Sequence, residues 1–230
     1  MSGLRHVIFD CDGTLVDSQV IICAAMTRAF ESLGLRPPSR DATLSIIGLS
    51  LPEAMARLAP GKGAARQAAL VQAYKDGFGA LRGDPAHHEP LYPGVRTVID
   101  TLAGEPETFL SIATGKSQRG VSRVLELHAM DGIFHSVHTA DECRSKPHPE
   151  MIERAIAATG VAPERAVMVG DTTYDMDMAR AAGALPIGVA WGYHPPSELT
   201  GAGAAAVAAH FDDVAGHLDA LTAGEARAAS

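Results

Sequence analysis

Cysteine is scarce: Cys11, Cys23 and Cys143 are the only three in 230 residues, far apart and with no C-x-x-C pair. That excludes a disulfide framework and fits a reducing compartment. No apolar run approaches the roughly 18 residues of a membrane span. Basic residues are also short, 19 Lys and Arg against 27 Asp and Glu, for a net charge of −8. Nucleic acid and anionic membrane are therefore excluded as main partners, and an anionic substrate needs local positive charge or a metal ion. The ten histidines include no H-x-x-x-H pair and no Cys/His cluster, which excludes a zinc site; His87-His88 reads as part of a solvated connection. With no signal peptide read ahead of a first strand near Leu4, the expected location is cytoplasmic.

What is there is globular: 47% of residues are hydrophobic and 20% charged. After Val7-Ile8-Phe9, residues 17–81 offer only helices, expected over Val20–Leu33 (capped by Asp17-Ser18), Ser39–Ile46, Leu51–Leu58 and Ala64–Leu81. From Pro93 helices and strands alternate. Strands are expected at Thr108–Ala113, Ser136–Thr139, Ala166–Val169, Leu185–Val189 and Ala204–Ala208. The helices between them are Gly94–Leu102, Ser117–Leu127, His148–Ala158 and Thr173–Ala182, with Asp212–Leu221 last. This alternation predicts an α/β fold, a Rossmann-like core with a mainly parallel sheet and an all-helical insert after its first strand.

The strand ends carry the chemistry. The first breaks off into Asp10-Cys11-Asp12-Gly13-Thr14, the second ends at Thr114-Gly115-Lys116, and the fourth enters Gly170-Asp171-Thr172-Thr173-Tyr174-Asp175. Lys146-Pro147 lies in a loop between them. Strand carboxyl ends share one edge of a parallel sheet, so these groups converge. Clustered carboxylates call for a hard cation such as Mg²⁺, and a hydroxyl and ammonium beside it suit a tetrahedral anion, which implies a phosphoryl group.

These four motifs, in this order, resemble the haloacid-dehalogenase-like hydrolase superfamily, in its helical-cap branch and closest to phosphoglycolate-phosphatase-like proteins. The likeness runs from residue 4 to about 221 and includes Trp191-Gly192-Tyr193. It implies a core of residues 1–16 and 86–230, with residues 17–85 as a helical cap on hinges at Leu15–Ser18 and Glu89–Pro93. It further implies Asp10 as nucleophile, forming an aspartyl-phosphate, and Asp12 as the acid and base. Thr114, Gly115 and Lys146 would hold the phosphoryl oxygens. Mg²⁺ would lie on Asp10, the Asp12 carbonyl and Asp171, with Asp175 ligating through water or orienting. The expected substrate is a small phosphomonoester, and the state a monomer or homodimer. A sugar-phosphate mutase keeps Asp12 as well, so it stands as the alternative beside a non-catalytic phosphate-binding homologue.

Other residues read more plainly. Gly115-Lys116-Ser117 is not a P-loop, because Leu110 stands where that loop needs glycine; Lys116 reads as a helix-entry residue beside the site. His148 reads as a helix start, Asp177 as solvated, Met176 and Met178 as packing, and Cys11 as buried and turned from the acids. In the cap, Thr43, Gly48, Leu49, Ser50, Lys62 and Arg66 are candidates for specificity, Gly48 first because its loop is expected to face the catalytic edge.

Overall fold

The computed structural model describes residues 3–228, with side chains to residue 222. The apolar run at the start forms β1 (Arg5–Phe9), whose last four residues are buried. It lies in the middle of a six-stranded sheet with β2 (Thr108–Thr114), β3 (Ser136–Thr139), β4 (Ala166–Gly170), β5 (Leu185–Val189) and β6 (Ala206–Ala208). All neighbours pair in parallel, in the order β3-β2-β1-β4-β5-β6. The order reverses beside β1, and such a reversal opens a crevice at the carboxyl edge.

Both faces of the sheet are buried, as a parallel sheet requires. Successive side chains of a strand point to opposite faces. Val7 and Phe9 join Leu110, Ile112, Val167 and Val169 under α5 (Val95–Ala103), α6 (Gln118–Leu127) and α10 (Asp213–Ala228). Ile8 and Met168 face the other way, onto α7 (Glu150–Thr159) and α8 (Thr173–Ala181).

Between β1 and β2 the chain is helical, as the sequence predicts: α1 (Gln19–Ser32), α2 (Arg40–Leu44), α3 (Leu51–Leu58) and α4 (Ala64–Leu81). These helices close around their own apolar cluster of Ile21, Met26, Phe30, Met55, Leu70 and Phe78. The two linkers to the sheet run side by side, with Asp17 N–H donating to Pro90 O and Tyr92 N–H to Leu15 O. A short α9 (Pro196–Gly201), not foreseen from its sequence, buries its Leu199 before β6. Among the described residues no helix is long and apolar enough to cross a membrane.

Candidate active site

β1 delivers the first acid. Asp10 N–H still pairs with Val169 O, so the residue continues the strand, and its side chain is buried. Gly13 then takes φ +86°, a conformation that favours glycine. The turn closes when the Thr14, Leu15 and Val16 N–H groups all donate to Cys11 O. From this turn Thr14 Oγ1 donates to Asp171 Oδ1 at 2.9 Å, while Tyr193 N–H donates to Asp171 Oδ2 at 2.9 Å. Trp191 Nε1 ties the same turn down through Thr14 O. The Trp-Gly-Tyr segment is thus a support for Asp171.

Asp175, in the first turn of α8, accepts from Thr172 N–H and Oγ1 at Oδ2, and its Oδ1 receives Lys146 Nζ at 2.6 Å. Lys146 also approaches Asp10 Oδ2 at 3.0 Å. That oxygen is buried and accepts no well-directed hydrogen bond. Asp10, Asp171 and Asp175 each offer an oxygen within 4.8 Å of the others. Three buried carboxylates with one ammonium leave excess negative charge. Burial and the neighbouring Asp175 push Asp10 up to about 7 despite Lys146, and burial with both neighbours raises Asp171 well above an ordinary carboxyl. Burial disfavours the charged Lys146, but Asp10 and Asp175 outweigh it and raise the amine. A hard cation among these oxygens would relieve the repulsion.

Asp12 faces elsewhere. Its Oδ1 accepts from Ser18 Oγ at 2.5 Å and from Lys116 Nζ at 2.7 Å, outside the carboxylate triad. Ser18, expected as a helix cap, makes no cap bond; Asp17 Oδ1 accepts the Gln19 N–H instead. Lys116 is more than a helix-entry residue. It is buried and bridges Asp12 to Glu89 Oε1, also at 2.7 Å. Glu89 lies in the segment read as an exposed connection, yet it is 7% exposed. Gly120 leaves the room Lys116 needs, since a Cβ there would stand 2.8 Å from Lys116 Cγ.

Asp10, Asp12, Thr114 and Gly115 floor a cleft of about 370 Å³ roofed by the helical insert. Gly48 and Leu49 line it, so that loop faces the strand ends that carry Asp10 and Thr114. Lys146, Asp171 and Asp175 are absent from the lining, and the Lys146 ammonium lies against the carboxylates of Asp10 and Asp175. Of the other cap candidates, Thr43 is buried against Ser39 O and Ser50 N–H donates to Ser145 Oγ. Lys62 and Arg66 are exposed and outside the lining; they do not belong to this cleft. The cleft instead takes Tyr74, Lys75 and Arg82 from α4, which a helical spacing from Phe78 could have signalled. His148 Nδ1 accepts from Glu150 N–H at the start of α7, Asp177 is exposed, and Met176, Met178 and Cys11 are buried, as read from the sequence.

The chain is similar to known proteins. Residues 7–189 match the family model described as haloacid dehalogenase-like hydrolase. A protein of Dickeya dadantii named "Probable phosphatase IndB" is 36% identical over 219 residues, 94% of each chain. The pyrophosphatase PpaX of Anoxybacillus flavithermus is 31% identical over 192 residues, covering 82% of this chain and 85% of its own. Among solved structures, the haloacid dehalogenase-like family protein SP0104 of Streptococcus pneumoniae superposes with a TM-score of 0.81 at 25% identity, over 94% of this chain and 99% of its own. The chain belongs to the haloacid dehalogenase-like hydrolases, among relatives that are phosphatases.

Proposed function

We propose that the protein is a Mg²⁺-dependent phosphatase that hydrolyses a small phosphomonoester through an aspartyl-phosphate on Asp10. The observation that carries the reading is Asp10 itself. It ends the central strand on the cleft floor, and its Oδ2 is buried without a well-directed donor. Asp10, Asp171 and the Asp12 carbonyl would hold Mg²⁺, with Asp175 orienting, and the ion when bound would supply charge neutralisation and Lewis acidity at the phosphoryl oxygens.

An Asp10 oxygen attacks phosphorus, and the bond to the ester oxygen breaks. The leaving oxygen keeps the bonding electrons and takes a proton from Asp12. Water then gives a proton to Asp12 and attacks phosphorus, and Asp10 departs as a carboxylate with release of inorganic phosphate. Such acid–base help is worth about 10²–10⁴-fold. Thr114 and the Gly115 backbone hold the transferred group from the cleft floor, and Lys146 orients Asp10 and works against the burial that disfavours its ionised form.

Residues 17–85 form a cap, and the paired linkers at Leu15–Ser18 and Glu89–Pro93 are its hinges. Closure would exclude bulk water while Asp10 carries phosphate. Phosphoglycolate is the leading substrate by family resemblance, and the relative named as a pyrophosphatase adds inorganic pyrophosphate as a second compound to test. The test is phosphate release from a panel of phosphate compounds, with and without Mg²⁺, for wild type and Asp10→Asn. Release that requires both the metal and Asp10 supports the reading; substantial release by Asp10→Asn overturns it.

A further inference from the structure

One face of α4 lines the cleft with Tyr74, Lys75, Phe78, Gly79 and Arg82, the three- and four-residue spacing of a single helix side. Arg119, from the first turn of α6, joins the lining. Lys75, Arg82 and Arg119 are cations that, among the described residues, make no ion pair and donate no side-chain hydrogen bond. Lys75 and Arg119 are exposed at the mouth. Arg82 is half-buried over the Phe78 ring, 5.0 Å from its centre, and its Nε is buried without a partner.

The local charge is unbalanced. Burial lowers the Arg82 pKa, Glu89 works against the shift, and Arg123 and Arg119 add to it. Glu89 is already engaged by Lys116 at 2.7 Å. Positive charge therefore gathers on this wall in a chain of net charge −8. Between Lys75 and Arg82, Gly79 has open space where a Cβ would stand, with nothing within 4 Å. Glycine weakens a helix interior relative to alanine, and no neighbour requires one here. What it leaves is room in the cleft.

We propose that this face of α4, with Arg119, is a subsite for a second anionic group on the leaving part of the substrate. The proposal rests on the phosphatase reading and names its substrate class, a phosphate ester or anhydride whose leaving group carries a carboxylate or another phosphate. Lys75 and Arg119 draw the anion to the mouth. The Arg82 guanidinium, a planar fork suited to carboxylate or phosphate oxygens, holds it. A leaving group without that charge leaves Arg82 Nε unpaired, and unpaired buried donors are what discriminate strongly against a neutral analogue.

The test compares kcat/KM for phosphoglycolate, inorganic pyrophosphate and hydroxyethyl phosphate, the last matching the first but with an uncharged leaving group. In the wild type at least one anion-bearing compound is preferred by about tenfold or more. Which one is preferred tells carboxylate from phosphate. Arg82→Met removes the preference, and Arg82→Lys restores part of it. Arg82 is the C-cap residue of α4, so Arg119→Met repeats the test at an exposed position. Equal rates for all three compounds in the wild type, or losses spread evenly over all three in both methionine variants, overturn the subsite while leaving the phosphatase intact. Release from none of a broader phosphoester panel overturns the phosphatase reading and the subsite with it.

Discussion

Lys116 Nζ stands 2.7 Å from both Asp12 Oδ1 and Glu89 Oε1, a buried bridge from the end of β2 to the acid after β1 and to the return linker of the helical insert. Ser18, in the other linker, holds the same Asp12 oxygen at 2.5 Å. One partner of Asp12 therefore lies in the outgoing linker, and the other, Lys116, is itself held by Glu89 of the return linker. A change in insert position reaches this carboxylate directly.

Removing the middle of that bridge should be costly. Lys116→Met leaves two buried carboxylates facing each other without a cation, and loss of one partner from a buried pair typically costs about 3–5 kcal/mol. Adding Glu89→Gln removes that repulsion and leaves one unpaired carboxylate. The double variant should thus be more stable than the sum of the singles by about 0.5–3 kcal/mol in urea unfolding. Strict additivity would contradict the bridge.

Gly115→Ala tests the approach of insert and core. A Cβ at 115 would lie 2.5 Å from Gly48 O and 2.7 Å from Leu49 O. These are backbone atoms that no rotamer change can move, so the loop must retreat. Stability should fall by about 1–3 kcal/mol, the usual cost of overpacking, and KM should rise. An unchanged KM would show that this loop does not shape the cleft.

His6 sets a pH dependence away from the cleft. It is fully buried on β1 between Ser111 Oγ at 2.7 Å and Thr159 Oγ1 at 3.2 Å. Burial, with His135 and His138 adding to it, pushes its pKa down from 6.5 to about 4. The unfolded chain binds the proton more readily, so the neutral histidine contributes its full stability above about pH 6.5. That contribution is lost as pH falls from 6.5 toward 4 and amounts to roughly 3 kcal/mol. Urea unfolding at both ends of the window should show a loss in wild type that His6→Gln lacks.

The metal site has a stability signature separate from turnover. In metal-free protein the Asp10 carboxyl, raised to about 7, favours the neutral form. Its contribution is fully present below the ordinary carboxylate range and lost as pH rises through about 7. Asp10→Asn removes one of three crowded buried charges. At pH 8, with a chelator present, its thermal midpoint should exceed that of wild type, and added Mg²⁺ should stabilise wild type more than the variant. The reverse order would contradict the ligand set.

Much of this was legible because it is local. Val7-Ile8-Phe9 breaking into Asp10-Cys11-Asp12-Gly13-Thr14 names a strand, a turn and two acids within one stretch. The edges of β3 and β5 and of α3 and α4 follow from apolar spacing and from breakers such as Gly61 and Gly83. What stayed hidden depends on partners distant in sequence. Glu89 reads as solvated because it stands among His87, His88 and Pro90 in a stretch without helix or strand pattern, and only the arrival of Lys116 from the end of β2 makes its burial tolerable. Ser18 carries a cap signature, but Asp12 competes for its hydroxyl and wins. Lys75 and Arg82 look like ordinary exposed helix charges until the cleft under α4 is formed.

The central claim is that Asp10 carries the phosphoryl group during turnover, and acid-quenched single turnover with labelled phosphoglycolate and pyrophosphate tests it most directly. A transient label should appear on the protein, mapped to Asp10, released by hydroxylamine as an acyl phosphate and absent from Asp10→Asn. Phosphate release at full rate with no label on Asp10 would contradict it.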